Sequence, residues 1–142
     1  MSLGRFSRQV ITARPDELVS TAAEKLRDHR VGCLVIERDG RPYGILTDRD
    51  VAIRVVAGGL DAKLTKVGEV ATLDPVVVRD VEGVETAARR MREYGVRRLP
   101  VVDDAGLLRG IITADDLVCV LGRELGDLSE GFEASADSSD AK

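Results

Sequence analysis

Aromatic residues make up only 3% of this 142-residue chain, with two Phe, two Tyr and no Trp. A core must therefore be aliphatic, built from Val, Ile, Leu and Ala. Histidine occurs once, at His29, and cysteine twice, at Cys33 and Cys119. A metal site needs several ligands, and no His or Cys cluster supplies them. His29 reads as a polar residue at a helix end. Neither cysteine sits in a Cys-x-x-Cys pair, and both have apolar neighbours. They read as small buried hydrophobes of a reduced, cytoplasmic protein. There is no apolar run of about 18 residues to span a membrane, and no apolar stretch behind the N-terminal charges to act as a signal peptide. No phosphate-loop Gly-x-x-x-x-Gly-Lys, Gly-x-Ser-x-Gly elbow or His-Glu-x-x-His is present. Their absence lowers the prior for catalysis and favours a reading that is not an enzyme.

The chain has little net charge of either sign. The formal net charge is −4. Asp127, Glu130, Glu133, Asp137 and Asp140 against Lys142 account for that excess, so the body is near neutral. A neutral body with few aromatics does not have the electrostatic footprint of a nucleic-acid binder. Residues 127–142 are rich in Ser, Asp, Glu, Ala and Gly, and they read as a disordered acidic tail.

What is present is a repeat. Thr21-Ala22-Ala23-Glu24-Lys25-Leu26-Arg27 matches Thr86-Ala87-Ala88-Arg89-Arg90-Met91-Arg92 at an offset of 65. Gly44-Ile45-Leu46-Thr47-Asp48-Arg49-Asp50 matches Gly110-Ile111-Ile112-Thr113-Ala114-Asp115-Asp116 at an offset of 66. The extra residue falls in the intervening turn, where insertions are tolerated. Each copy predicts a first strand (9–12 or 75–78), a helix (17–29 or 82–94) with apolar residues at helical spacing, and a strand (33–36 or 99–102). A turn at Asp39-Gly40 or Asp104-Ala105-Gly106, a second strand and a closing helix follow. The expected class is α+β, with β-α-β-β-α written twice: residues 1–62, with the N-terminal segment, and 63–126. The joint lies near Gly58-Gly59.

The pattern resembles the CBS-domain pair, or Bateman module. The resemblance rests on residues 44–50 and 110–116, and on Val96-Arg97-Arg98-Leu99-Pro100-Val101-Val102-Asp103. It covers about residues 6 to 126. It implies two units packed about a pseudo-twofold axis, adenosine compounds in the clefts between them, and regulation without catalysis. It also implies a homodimer and a separate output partner, since no effector domain accompanies the pair. The ligands implied are AMP, ADP or ATP, then S-adenosylmethionine or NADH.

Thr47 with Asp50, and Thr113 with Asp116, sit where a strand hands over to a helix. A Thr with an acid three residues later is a capping-box pattern, worth about 1 kcal/mol of helix stability. The same carboxylate can accept both hydroxyls of a ribose, and the resemblance implies that role for Asp, with Thr assisting. Arg97 and Arg98 have the planar fork that suits phosphate. Otherwise they form a solvated surface pair. The resemblance implies that they reach across the pseudo-twofold axis to the Thr47–Asp50 cleft. Copy one has Gly32 and Cys33 at the matching positions. The expectation is an Asp50 cleft favouring phosphorylated ligands and a weaker Asp116 cleft, unless Arg30 or Arg14 compensates. Ile11 and Val76, at matched positions in the first strands, are expected core residues, and the resemblance implies that they border the adenine. The competing reading is a ligand-free interaction module in which Thr-x-x-Asp is only a cap.

Overall fold

A computed structural model of the chain describes residues 2–140. The repeat written in the sequence becomes two β-sheets. β1 (Thr12–Ala13), β2 (Cys33–Arg38), β3 (Arg41–Thr47) and β4 (Thr72–Leu73) form the first, in that spatial order. β5 (Val78–Arg79), β6 (Arg98–Val102) and β7 (Leu108–Thr113) form the second. In each, the first strand pairs parallel to the second, and the second pairs antiparallel to the third.

The parallel pairing requires a crossover, and a helix supplies it. α1 (Val19–His29) buries Val19, Ala22 and Leu26; α4 (Val84–Tyr94) buries Val84, Ala87 and Met91. The spacing of three and four in both helices places one apolar face on the sheet. Lys25 Nζ ties α1 to the first strand by donating to the Thr12 carbonyl and to Glu17. Arg90 does the same in the second copy, with the Val77 carbonyl and Glu82.

The two helices end differently. Gly95 takes the left-handed conformation after α4, with φ 64°. Its counterpart after α1 is Arg30, with φ 53°. A side chain there costs roughly 1 kcal/mol over glycine.

The hairpin turns explain the change of offset. Asp39 and Gly40, with φ 54° and 76°, form a tight turn of the kind that matches strand twist. The second turn is longer and closes at Gly106, φ 81°. Asp103 organises it by accepting from the Ala105 and Leu107 amides and from Arg109 Nε.

Three expectations are corrected. The first strands are short and begin later than expected, so Ile11 and Val76 lie just before β1 and β5, not within them. The closing helix of copy one is a single α-turn, α2 (Asp48–Asp50), continued by a wider π-type segment over Val51–Val56. The tail from residue 127 is not irregular: α5 runs from Ala114 to Asp140, with no proline to interrupt it. Ala141 and Lys142 lie outside the described residues.

The division at residue 62 also looks different in space. Leu3, in a short 3₁₀ turn (Leu3–Arg5), is fully buried in the second repeat's core. The Leu3 and Gly4 amides donate to the carbonyls of Glu82 and Asp80, and Arg8 pairs with Ile111 on β7. In return, α3 (Val67–Val70) and β4 join the first repeat. Val67 is fully buried there, the Val67 and Gly68 amides donate to Glu17 and Pro15, and β4 pairs with β3. The segment preceding each repeat thus completes the other one.

Candidate functional site

Both Thr-x-x-Asp pairs form complete reciprocal caps. The Thr47 amide donates to Asp50 Oδ2 at 3.0 Å, and the Asp50 amide donates to Thr47 Oγ1 at 3.0 Å. The Thr113 amide donates to Asp116 Oδ2 at 3.0 Å, and the Asp116 amide to Thr113 Oγ1 at 3.1 Å. The local sequence accounts for this, since a Thr at the cap and an acid one turn in satisfy two orphan amides.

The remaining carboxylate oxygens differ. Asp50 Oδ1 lies 3.9 Å from Arg54 Nε, one turn along its own helix. Asp116 Oδ1 lies 2.5 Å from Arg8 Nη2, brought by the exchanged N-terminal segment. The Asp116 side chain is 6% exposed, that of Arg8 71%. Buried carboxylate and solvated guanidinium therefore meet at a rim.

A cleft of about 310 Å³ opens at that rim, between the repeats. Its walls are Arg8, Gln9, Val10 and Ile11 from the segment before β1, and Arg30 to Cys33 from the turn between α1 and β2. Arg98, Ile111, Thr113 and Asp115 of the second repeat close it. The volume lies in the range of small-ligand pockets, roughly 300–1,000 Å³. Val10, Ile11, Val31 and Ile111 give an apolar wall, and Arg8, Arg30 and Arg98 give three cationic groups. A larger cleft of about 550 Å³ lies along Thr12, Arg14, Asp16 and Glu37 to Asp39. It is ringed by charges of both signs and does not include a Thr-x-x-Asp pair. Arg14 belongs there.

The arginines do not sit as expected. Arg98 begins β6, directly opposite Thr113 on β7, so the register places it beside the Thr113 cleft. A methyl group on Gly32 would lie 3.4 Å from Arg98 Nη2 and 3.8 Å from Asp48 Oδ2. Arg98 also neighbours Cys33. Burial pushes that thiol's pKa up, and the Arg98 charge opposes the shift. Arg97 is exposed and lies 3.5 Å from Asp115. Among the described residues no hydrogen bond or ion pair joins Arg97 or Arg98 to Thr47 or Asp50. The expected asymmetry of charge is reversed, with the cations gathered on the Thr113 side. Of the two candidate compensators, Arg30 is in place. Ile11 lines this cleft; Val76 packs against the second core.

Two contributors were missed from sequence: Arg8, which lies outside both motifs, and Arg30, weighed only as a substitute. A signal for Arg30 existed. Its partner in the repeat is Gly95, and a charged residue in a left-handed position is where strain accompanies function. His29 has no metal-binding company, and no group of three or more His, Cys, Asp or Glu among the described residues could hold a metal. Cys33 is half-buried and Cys119 exposed, against the expectation that both are buried. No helix among the described residues is long and apolar enough to cross a membrane.

Comparison with known proteins agrees with this architecture. The CBS-domain family model matches twice, at residues 3–57 and 67–123. The CBS domain-containing protein YhcV of Bacillus subtilis is 37% identical over 112 residues, covering 79% of either chain. MK0525 of Methanopyrus kandleri is 37% identical over 123 residues, 84% of this chain and 62% of the relative. The chain thus spans less than two thirds of that relative's length. Among solved structures, the CBS domain protein PAE2072 of Pyrobaculum aerophilum, complexed with AMP, superposes with a TM-score of 0.74. The two are 27% identical, over 82% of this chain and 89% of that one. The CBS domain pair of MJ0100, with 5′-methylthioadenosine and S-adenosylmethionine, gives 0.76 at 25% identity, over 87% and 98%. Both matched segments begin at the exchanged pieces, Leu3 and Val67, which places each piece inside its domain as the family counts it. With two tandem copies covering most of its length, the chain belongs to the CBS-domain family.

Proposed function

We propose that this CBS pair is a regulatory sensor of adenosine compounds, with AMP, ADP or ATP ahead of S-adenosylmethionine and NADH. It does no catalysis and signals to a separate protein partner. The observation that carries the reading is the inter-repeat cleft, where an apolar wall and three arginines converge beside Thr113, and where Arg8 of the wall pairs with the buried Asp116. Asp116 Oδ1 is the acceptor for the ribose hydroxyls, with Thr113 beside it. The adenine lies along Ile11 and its neighbours. Arg98, Arg30 and Arg8 face the phosphate.

The ion pair at the rim supplies a mechanism. Ribose at Asp116 displaces Arg8, and a phosphate on the same ligand takes up the released guanidinium. A nucleotide satisfies both charges, whereas adenosine strands one, so selection for a phosphorylated ligand follows from the geometry. Arg8 belongs to the segment exchanged between repeats, and its displacement favours a new packing that a partner can read. Thr47 and Asp50, with Val76, form a second and weaker subsite, to which Arg97, held beside Asp115, does not contribute. The AMP complex of PAE2072 and the MJ0100 complex support the ligand class. Exposed Ile53, Val56 and Val118 on the closing helices support self-association as a homodimer.

One observation favours a ligand-free interaction module. Both carboxylates are already hydrogen-bonded within the chain, as a purely structural cap requires. Thermal unfolding with AMP, ADP, ATP, S-adenosylmethionine, NADH and adenosine separates the readings. A ligand at 100 times its dissociation constant adds about 2.7 kcal/mol. The sensor predicts a rise of several degrees with a nucleotide and less with adenosine; no rise with any of them selects the interaction module.

A further inference from the structure

The long helix α5 carries a feature that the cleft does not use. Its first two turns are anchored to the body through buried Asp116, Leu117 and Val120. Beyond them, every residue from Leu121 to Ala136 is exposed. Along α5, Val118 in the anchored turns and Leu121, Leu125, Leu128 and Phe132 beyond them are spaced three, four, three and four apart, and they are 68%, 49%, 67%, 57% and 71% exposed. That spacing is the a and d pattern of a coiled-coil seam. The seam continues from the anchored turns straight off the body.

We propose that this seam is a pairing surface for a second copy of the same chain, packed parallel and in register through α5. Three observations select that occupant. First, the helix cannot stand uncovered. Gly122, Gly126 and Gly131 fall within it, and glycine opposes helix in an exposed segment. An isolated stretch of this length is marginal in water even without glycines, so its helicity needs a partner. Second, the positions flanking the seam suit an identical helix. They are Gly122, Glu124, Ser129, Gly131 and Ala136, small apart from Glu124, so two helices can approach closely. In a parallel pair Glu124 faces the partner's Ser129, and no like charges meet across the seam. Arg123, Asp127, Glu130 and Glu133 all lie on the outer positions. Third, the area is sufficient. The five side chains expose roughly 500 Å² per copy, so about 1,000 Å² is covered between two, the least that a specific interface requires. A two-fold axis along the seam makes the contact closed and self-limiting.

The inference takes up the self-association proposed above, and its test separates the two. The full chain is prepared with Cys33→Ser and Cys119→Ser, carrying either Phe132→Cys on the seam or Glu130→Cys on the outer face. Both sites are exposed in the single chain, so neither substitution disturbs the body. Mild oxidation is followed by non-reducing electrophoresis, and mass is measured by light scattering. A parallel pair brings the two 132 thiols within disulfide reach. They cross-link at least tenfold faster than the 130 thiols, and adding Leu125→Glu with Leu128→Glu removes the difference and lowers the helical signal. A dimer in which positions 132 and 130 cross-link equally overturns the seam and leaves self-association standing. A chain that is monomeric at every concentration overturns both.

Discussion

The two Thr-x-x-Asp pairs are alike in sequence and in cap geometry, yet they differ in chemistry. Each Asp gives one oxygen to its own cap. Among the described residues, the other oxygen of Asp50 has Arg54 alone, 3.9 Å away on the same helix. The other oxygen of Asp116 meets Arg8, which comes from the far end of the chain and lines a cleft that also holds Arg30 and Arg98. A duplicated motif thus duplicates the local structure and not the surroundings. The exchanged segments decide the surroundings, and with them which copy we propose as the better site.

The exchanged segments are also the place where the comparison can be broken most forcefully. Leu3→Ala removes a fully buried side chain from the second core, so stability should fall by about 3 kcal/mol in urea unfolding. Val67→Ala, the counterpart, should cost less because it removes less volume. A negligible loss for Leu3→Ala would mean that the N-terminal segment is not part of the second repeat.

Next in size are the two acids. Asp116→Ala loses a cap and a rim ion pair, about 2 kcal/mol, whereas Asp50→Ala loses little beyond its cap, about 1 kcal/mol. Equal losses in thermal unfolding would erase the distinction between the sites.

The arginines follow. Arg98→Ala should weaken AMP binding roughly tenfold, as expected for a charge-assisted bond, and Arg97→Ala by less than about threefold. Equal effects in calorimetric titration would contradict the placement of Arg98 in the cleft and Arg97 outside it. Arg30→Gly sharpens the same comparison, because it makes the end of α1 resemble the end of α4. The variant should be about 1 kcal/mol more stable and bind AMP more weakly.

The smallest effect concerns the two hairpins. Asp103 has its pKa held below the ordinary carboxylate value, first by the Leu107 amide and also by Arg109 and the Ala105 amide. A depressed folded pKa contributes stability above the unfolded value and loses it as pH falls through the folded one. Asp103→Asn should therefore soften the loss of thermal stability between neutral and acid pH. Among the described residues, the Asp39 carboxylate has no comparable set of hydrogen bonds in the other hairpin turn.

Much of this molecule was legible in the chain because it depends on local periodicity. α1 and α4 begin within two residues of the positions that Ala22, Leu26, Ala87 and Met91 predict, and both caps follow from residue type. Contacts between distant segments were not legible. Leu3 bonds to Glu82, and Arg8 to Ile111 and Asp116, partners far away along the chain, and no local pattern announces them. A clue existed, since Leu3-Gly4 matches Val67-Gly68 at an offset of 64, but two residues are too short a match to stand alone. The placement of Arg98 turned on register: the residue opposite Thr113 is decided by the hairpin, not by the pseudo-twofold axis. In the tail, Gly, Ser and Asp outweighed a seam that was written in plain spacing from Val118 to Phe132.

The most direct test of the account is calorimetric titration of AMP and of adenosine into the wild-type chain, Asp116→Asn and Asp50→Asn. The account predicts AMP binding that is tighter than adenosine binding, largely lost in Asp116→Asn and largely kept in Asp50→Asn. Binding that survives Asp116→Asn and fails in Asp50→Asn, or no binding to the wild type, would contradict it.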